Sequence, residues 1–215
     1  IESVYSMDGD VCPLHEIVNL ANQYQAAIIL DEAHATGVFE KNGKGLVNQY
    51  GLEEAVFARI HTFGKACGCH GAVVLGSKLL RDYLINFSRS LMYSTSLPPH
   101  TIEIIKKSYQ TFPSMTQERL HLQQLIQRFR QGVIEQGWQL MASQTAIQPI
   151  LLGEENKALA LSQALAERGF WVTAIRPPTV PVGQSRLRVT LTASHSEADI
   201  DCLLNALATL RADYA

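Results

Sequence analysis

The sequence has no long hydrophobic run, no excess of basic charge and little cysteine. No apolar stretch approaches the roughly 18 residues that a membrane-spanning helix needs. No charged-then-apolar leader is evident, and nothing points to secretion. Lys and Arg number 18 against 20 Asp and Glu, a formal net charge of −2. That balance offers no cationic footprint for a nucleic-acid backbone and no acidic tail. The four cysteines, Cys12, Cys67, Cys69 and Cys202, are too few to frame a chain of 215 residues with disulfides. Reduced thiols in a reducing, cytoplasmic setting are the expectation. The cluster "CGCH" ending at His70 lacks the spacing of a zinc knuckle, and no second ligand pair follows, so no metal is expected. Internal repeats and low-complexity segments are also missing. So is an initiator methionine. The chain opens on "IESVYSMDGD", a strand remnant followed by a turn. The expectation is that these residues are the C-terminal part of a longer polypeptide, and motifs upstream of Ile1 are not counted as absent.

What is present is a globular composition, 47% hydrophobic and 18% charged. In "PLHEIVNLANQYQ" the residues Leu14, Ile17, Val18 and Ala21 recur at helical spacing, with Asp10 and Pro13 as start signals. The run "AAIILDEA" reads as a parallel strand buried on both faces. Helix then strand is α/β syntax, and in open parallel sheets ligands sit beyond the carboxyl ends of the strands, where Asp31 stands. "GVFEKNGKGLVNQYG" reads as a Gly-rich loop, "FARIHTF" and "AVVLG" as strands around the turn "GKACGCHG", and "SKLLRDYLINFSR" as a helix. "SLMYSTSLPPH" reads as irregular, with Pro98-Pro99 opening a helix to about residue 111. Beyond Pro113 the spacing predicts a long helix over 115–136 and a strand "AIQPILLG". A helix near 155–168 closes at Gly169. The strand "FWVTAI", the loop "RPPTVPVGQS", the strand "RLRVTLT" and a helix near 196–212 follow. The expected division is a large α/β domain over 1–112 and a small α/β domain over 113–215 with its helices on one side of a small sheet.

Four groups of residues could carry chemistry. Asp31 and His34 follow a buried strand, where a carboxylate is costly unless it is paired. A helix cap or a buried ion pair would explain Asp31, and so would a bound cation such as a protonated pyridine nitrogen. Lys65 lies among Gly64, Ala66 and Gly68 just after an apolar strand and Thr62. It is either an ordinary loop lysine or a desolvated Schiff-base former beside something flat. Arg176, Arg186 and Arg188 stand near strand ends of the second half. Arg186 and Arg188 share one strand face, either solvated or suited to bidentate carboxylate capture. Tyr93, Ser94, Thr95 and Ser96 form a hydroxyl array, either capping a helix or contacting a phosphate or a subunit. The tetrad Asp31 to His34 also spells the DEAH box of nucleic-acid helicases. The region after Pro113 is too small for a second helicase lobe, and the acidic balance argues against nucleic acid.

Taken together, these motifs resemble the α-oxoamine synthases, a pyridoxal-phosphate family of the aspartate-aminotransferase fold type. The resemblance runs in order through "ESVYSMDGDVCPL", "DEAHATGVFEKNGKG", "TFGKACGCHGAVVLG", "YSTSLPP" and "IRPPTVPVGQSRLRVTLTASH". It implies that Lys65 forms the Schiff base and moves protons at the amino acid's Cα. Asp31 would pair with the pyridinium nitrogen, His34 would contact the phenolic oxygen, and Thr62 would help hold the phosphate. Ser6 and Glu2 would border cofactor and substrate. Arg188 would hold the amino-acid carboxylate, with Arg176 close by. Thr95 would reach a neighbouring subunit's phosphate, since the family builds its sites in homodimers. Within the family the motifs lean towards members that condense L-alanine with a pimeloyl thioester, on coenzyme A or acyl carrier protein, in biotin synthesis. Siblings that use glycine or serine are the alternative. A non-catalytic family subunit is a further one, against which Lys65, Asp31 and His34 all argue by their presence. The chain departs from the family at His70, where small residues are usual, and at Gly71-Ala72. The family's ring-stacking side chain and phosphate-binding glycine loop would lie upstream, so residues 1–215 alone are expected to be inactive.

Overall fold

The computed structural model describes residues 1–214. The chain forms two compact units. The first holds Ile1–Val4 and Cys12–Thr116, and the second holds Tyr5–Val11 and the residues from Gln117 onward. The short segment Tyr5–Val11 thus joins the second unit although its neighbours in sequence belong to the first.

In the first unit, helix α1 (Leu14–Gln23) turns Leu14 and Val18 inward. It leads to strand β1 (Ile29–Asp31), followed by helix α2 (Leu46–Tyr50), strand β2 (Ala58–Thr62) and strand β3 (Ala72–Gly76). The strands form one sheet in the order β1-β2-β3. β1 and β2 are parallel with Asp31 opposite Ile60, and β3 returns antiparallel with Ala72 opposite Thr62. The first residues run along the free edge of β1: Asp31 N donates to Ile1 O (2.9 Å) and Ser3 N to Asp31 O (2.8 Å). The chain start is therefore strand-like, with Glu2 bridging Asp31 in parallel.

Burial of β1 on both faces holds only for Leu30. Ile29, on the alternate face, is 54% exposed and lies in an open apolar groove with Ile17, Leu20 and Tyr24. The Gly-rich loop contains a helix that the sequence reading did not foresee. α2 forms because the Glu32 carboxylate accepts from Val47 N (3.0 Å), meeting one of the orphan donors of a helix start. Gly51, in the left-handed region, ends it.

Helices α3 (Lys78–Phe87), α4 (Arg89–Met92) and α5 (Pro99–Thr111) complete the unit. α4 occupies the start of the stretch expected to be irregular. None of these three helices buries a residue fully, and Leu79, Tyr83, Phe87 and Tyr93 are exposed. The inner side of α5 is better packed: Phe63, Cys67 and Phe112 form a buried cluster to which Ile105 and Tyr109 add.

In the second unit, helix α6 (Thr116–Glu135) presents Leu122, Leu125, Ile126, Phe129 and Val133 at helical spacing to the core. Strand β4 (Ile147–Gly153), helix α7 (Glu155–Ala166), strand β5 (Thr173–Ile175), strand β6 (Ser185–Thr190) and helix α8 (Glu197–Tyr214) follow. The sheet runs in the order β4-β6-β5 and is antiparallel throughout. β5 is shorter than "FWVTAI" suggested. Phe170 N still bonds back to Leu165 O (2.9 Å) across Gly169 at φ +86°, so Phe170 belongs to the helix ending rather than to the strand. Gly9 at φ +70° seats Tyr5–Val11 in this unit. A Cβ there would stand 2.4 Å from Ile147 O and 2.5 Å from Ser143 Oγ. Among the described residues no helix is long and apolar enough to cross a membrane.

Two outcomes follow from this packing. Phe129, fully buried in the second unit, should lose about 3–5 kcal/mol of stability as Phe129→Ala, read by urea unfolding, because truncation leaves a cavity. Burial, reinforced by Cys69, pushes the Cys67 thiol up to about 11. Cys67 therefore stays protonated at pH 8. Iodoacetamide followed by peptide mapping should label the exposed Cys202 in the folded protein and reach Cys67 only after unfolding.

Candidate active site

Parallel pairing of β1 and β2 brings their carboxyl ends to one edge of the first sheet. Asp31 closes β1 and Thr62 closes β2. The turn that carries Lys65 leaves the same edge and returns at Ala72. It is held by Phe63 N to Gly71 O (2.8 Å), Cys69 N to Phe63 O (2.8 Å) and Gly68 N to Lys65 O (2.9 Å). Register therefore puts Asp31 and Thr62 at one edge, Lys65 lies in the turn that leaves it, and His34 sits in the turn that follows β1.

Asp31 is half-buried, and its Oδ1 accepts from Ala33 N (2.7 Å). This orients the carboxylate and is neither a helix cap nor a buried ion pair. Thr62 Oγ1 is buried and without a hydrogen-bond partner. An unpaired hydroxyl at a strand end costs free energy unless a ligand meets it. Lys65 is exposed; of the two readings left open by the sequence, a loop lysine or a desolvated one, the burial matches the first. His34 is half-buried.

In the second unit the cations diverge. Arg186 is 1% exposed and pairs with Asp8, so it is not solvated. Arg188, two residues on, donates from Nε to Ser6 O (2.7 Å) and from Nη1 to Thr190 Oγ1 (2.9 Å). Burial pushes its guanidinium below the ordinary arginine value. Arg176 is exposed and bound to Glu155 (3.0 Å). Ser6 and Arg188 are thus brought together, whereas Arg176 is engaged elsewhere.

Tyr93, Ser94, Thr95 and Ser96 are exposed. They do not cap α5, whose N-cap position is Pro98 with no side-chain cap bond. Glu2 pairs with β1 through its backbone. Among the described residues no group of three or more His, Cys, Asp or Glu could hold a metal ion.

The sequence reading missed Glu32, His61 and Tyr109. Glu32 has no exposed surface, and its Oε2 lies 3.6 Å from His61 Nε2. His61 Nδ1 lies 2.9 Å from the Tyr109 hydroxyl. The signal for Glu32 was strand alternation, which puts it on the same side as the buried Leu30.

The model of the family "Aminotransferase class I and II" matches residues 1–207. An 8-amino-7-oxononanoate synthase from Marinobacter nauticus is 47% identical over 98% of this chain and 54% of its own length. Another, from Aeromonas salmonicida, is 49% identical over 96% of the chain and 52% of its own length. Among solved structures, a serine palmitoyltransferase variant from S. paucimobilis with bound PLP-myriocin aldimine superposes with a TM-score of 0.92. It is 30% identical over 98% of this chain and 54% of that one. The chain spans about half the length of the curated relatives it matches. With an α/β fold shared across 98% of its length and a family match over residues 1–207, the chain belongs to the aminotransferase class I and II family.

Proposed function

We propose that this chain forms part of a pyridoxal-phosphate-dependent C-acyltransferase of the α-oxoamine synthase type. It would condense L-alanine with a pimeloyl thioester, carried on coenzyme A or acyl carrier protein, to give 8-amino-7-oxononanoate for biotin synthesis. A cytoplasmic homodimer is part of the reading. The observation that carries it is the Thr62 hydroxyl, buried and unpaired at the sheet edge where β1 ends at Asp31 and the turn bearing Lys65 begins. Those residues fit pyridoxal phosphate: an amine, a carboxylate for a protonated ring nitrogen, and a hydroxyl for a phosphate. The names of the two curated relatives support 8-amino-7-oxononanoate as the product.

When bound, the cofactor supplies an electron sink for charge that develops at the amino acid's Cα. The Lys65 amine would anchor the cofactor and take the proton from Cα. Asp31, its Oδ1 fixed by Ala33 N, would pair with the ring nitrogen. Thr62 would help hold the phosphate, Thr95 would reach the phosphate in the neighbouring subunit, and His34 would contact the phenolic oxygen. Arg188 receives the amino-acid carboxylate, with Arg176, Ser6 and Glu2 bordering the substrates. A carbon–carbon bond would form between Cα and the thioester carbonyl as the carbon–sulfur bond breaks and the free thiol leaves; the amino-acid carboxylate would then depart as carbon dioxide, and a proton would return to Cα.

The test is borohydride reduction in the presence of pyridoxal phosphate, with peptide mapping, on the protein from the complete gene. A stable adduct on Lys65 is expected, and its absence overturns the reading. Lys65→Ala should lower alanine-dependent release of free thiol by at least about a hundredfold, since it removes a general base. Offering alanine, glycine and serine in turn decides the substrate. Faster turnover with serine would favour the activity named for the similar solved structure. Residues 1–215 alone are expected to show no turnover in the same assay.

A further inference from the structure

A buried polar chain stands directly behind the residues used above. Glu32 follows Asp31 and is fully buried. Its Oε1 accepts from Val47 N (3.0 Å). Its Oε2 and His61 Nε2 are both buried and without a hydrogen-bond partner, and they face each other at 3.6 Å. Arg59 Nη1 is 3.8 Å from the same oxygen but donates to Asn48 Oδ1 at 2.6 Å. The backbone is shaped to this carboxylate. Gly45 has φ +95°, and a Cβ there would stand 2.7 Å from Oε1 and 2.8 Å from Oε2.

On its other side, His61 Nδ1 meets the Tyr109 hydroxyl at 2.9 Å, and the two rings stack with centroids 6.2 Å apart. Tyr109 also meets the rings of Phe63 (6.2 Å) and Phe112 (5.5 Å). The preceding residue of α5, Ser108, donates to Cys67 O (2.9 Å). Helix α5 therefore grips both ends of the turn that carries Lys65, through His61 before Thr62 and through Cys67 after Lys65.

Donor chemistry orders this chain. At 3.6 Å the two atoms do not hydrogen-bond, but an ionised carboxylate oxygen only accepts, so a proton on Nε2 is the arrangement that would let each satisfy the other on closer approach. Burial, with Cys67 adding and Arg59 opposing, pushes the Tyr109 hydroxyl up to about 12, so it keeps its proton and can donate to Nδ1.

We propose that Glu32 is a positioning residue, holding the Nε2 proton of His61 and through His61 and Tyr109 fixing the Lys65 turn relative to Asp31. The proposal rests on the pyridoxal-phosphate reading of this edge and adds to it a support on the far side of the strands.

The test uses the protein from the complete gene with ring-¹⁵N-labelled histidine, the His61 signal being assigned by its loss in His61→Asn. The expected result is a proton on Nε2. In Glu32→Gln the amide NH₂ faces Nε2 while Oε1 still accepts from Val47, so the proton should move to Nδ1. Retention of pyridoxal phosphate, measured by equilibrium dialysis, should weaken about tenfold in this variant, as loss of an outer-shell partner does elsewhere. The far-UV spectrum and the borohydride adduct on Lys65 should persist. Tyr109→Phe should weaken retention in the same direction, and it carries the comparison if Glu32→Gln does not fold. A bare Nε2 in the unsubstituted protein, or unchanged retention in a folded variant, overturns the proposal. If the unsubstituted protein forms no Lys65 adduct, the cofactor reading fails instead, and the proton position still decides whether Glu32 holds His61.

Discussion

The burial of Glu32 is the constraint around which the first unit is arranged. Taking a carboxylate out of water costs several kcal/mol before compensation, and nearby features of the chain answer that cost. The helix Leu46–Tyr50 begins where Val47 N can point at Oε1. Gly45 carries no side chain, because any Cβ would strike the carboxylate. His61 and Arg59 both present nitrogens to the other oxygen. Asp31 and Glu32 are adjacent, and alternation along the strand sends them to opposite sides. One carboxylate supports the interior while the other stands half-buried at the edge where ligands bind in such sheets. The geometry of the edge thus depends on a residue that is not itself at the edge.

Rigidity at that edge follows from pairing. Asp31 is held by β-ladder bonds on both sides, to Ile1 and Ser3 on one and through β2 on the other. Thr62 lies two residues beyond the last parallel pair, Asp31 with Ile60, and is held by β3 through its partner Ala72. Groups placed by strand ends keep their spacing better than groups placed by loops, as a cofactor's ring and phosphate require. Lys65 lies on a turn rather than a strand and is exposed, which leaves its amine the freedom that the proposed role asks of it.

Much of this was legible in the sequence. The helical spacing of Leu14, Ile17, Val18 and Ala21, the run before Asp31 and the glycines around Lys65 each encode local geometry, and the elements form there. The helix Leu46–Tyr50 was not legible because its start is capped by Glu32, fifteen residues earlier in the chain. No local pattern records such a partner. The fate of Arg186 was hidden for the same reason: alternation puts it on one face with Arg188, but only folding brings Asp8 to it. The attachment of Tyr5–Val11 to the second unit likewise depends on Ser143 and Thr145, whose hydroxyls bond to Gly9 O (2.8 and 3.0 Å). His61 and Tyr109 looked like ordinary strand and helix residues. Their pairing spans 48 positions and has no periodicity to betray it.

The second unit sorts its cations by what already neutralises them. Arg186 is buried and already neutralised by the partly exposed Asp8, so it is not free to meet a second carboxylate without giving up that pair. Arg176 is engaged by Glu155 at the surface. Arg188 is different. Its partners are a backbone carbonyl and a threonine hydroxyl, both uncharged, and no carboxylate lies within ion-pair distance among the described residues. It is half-buried, and its lowered pKa expresses the cost of holding a guanidinium there without an anion. An incoming carboxylate would relieve that cost, and the planar fork can meet it with two parallel bonds. Of the three arginines, Arg188 is the one without an anionic partner among the described residues, which is why the proposed role of receiving a carboxylate falls to it.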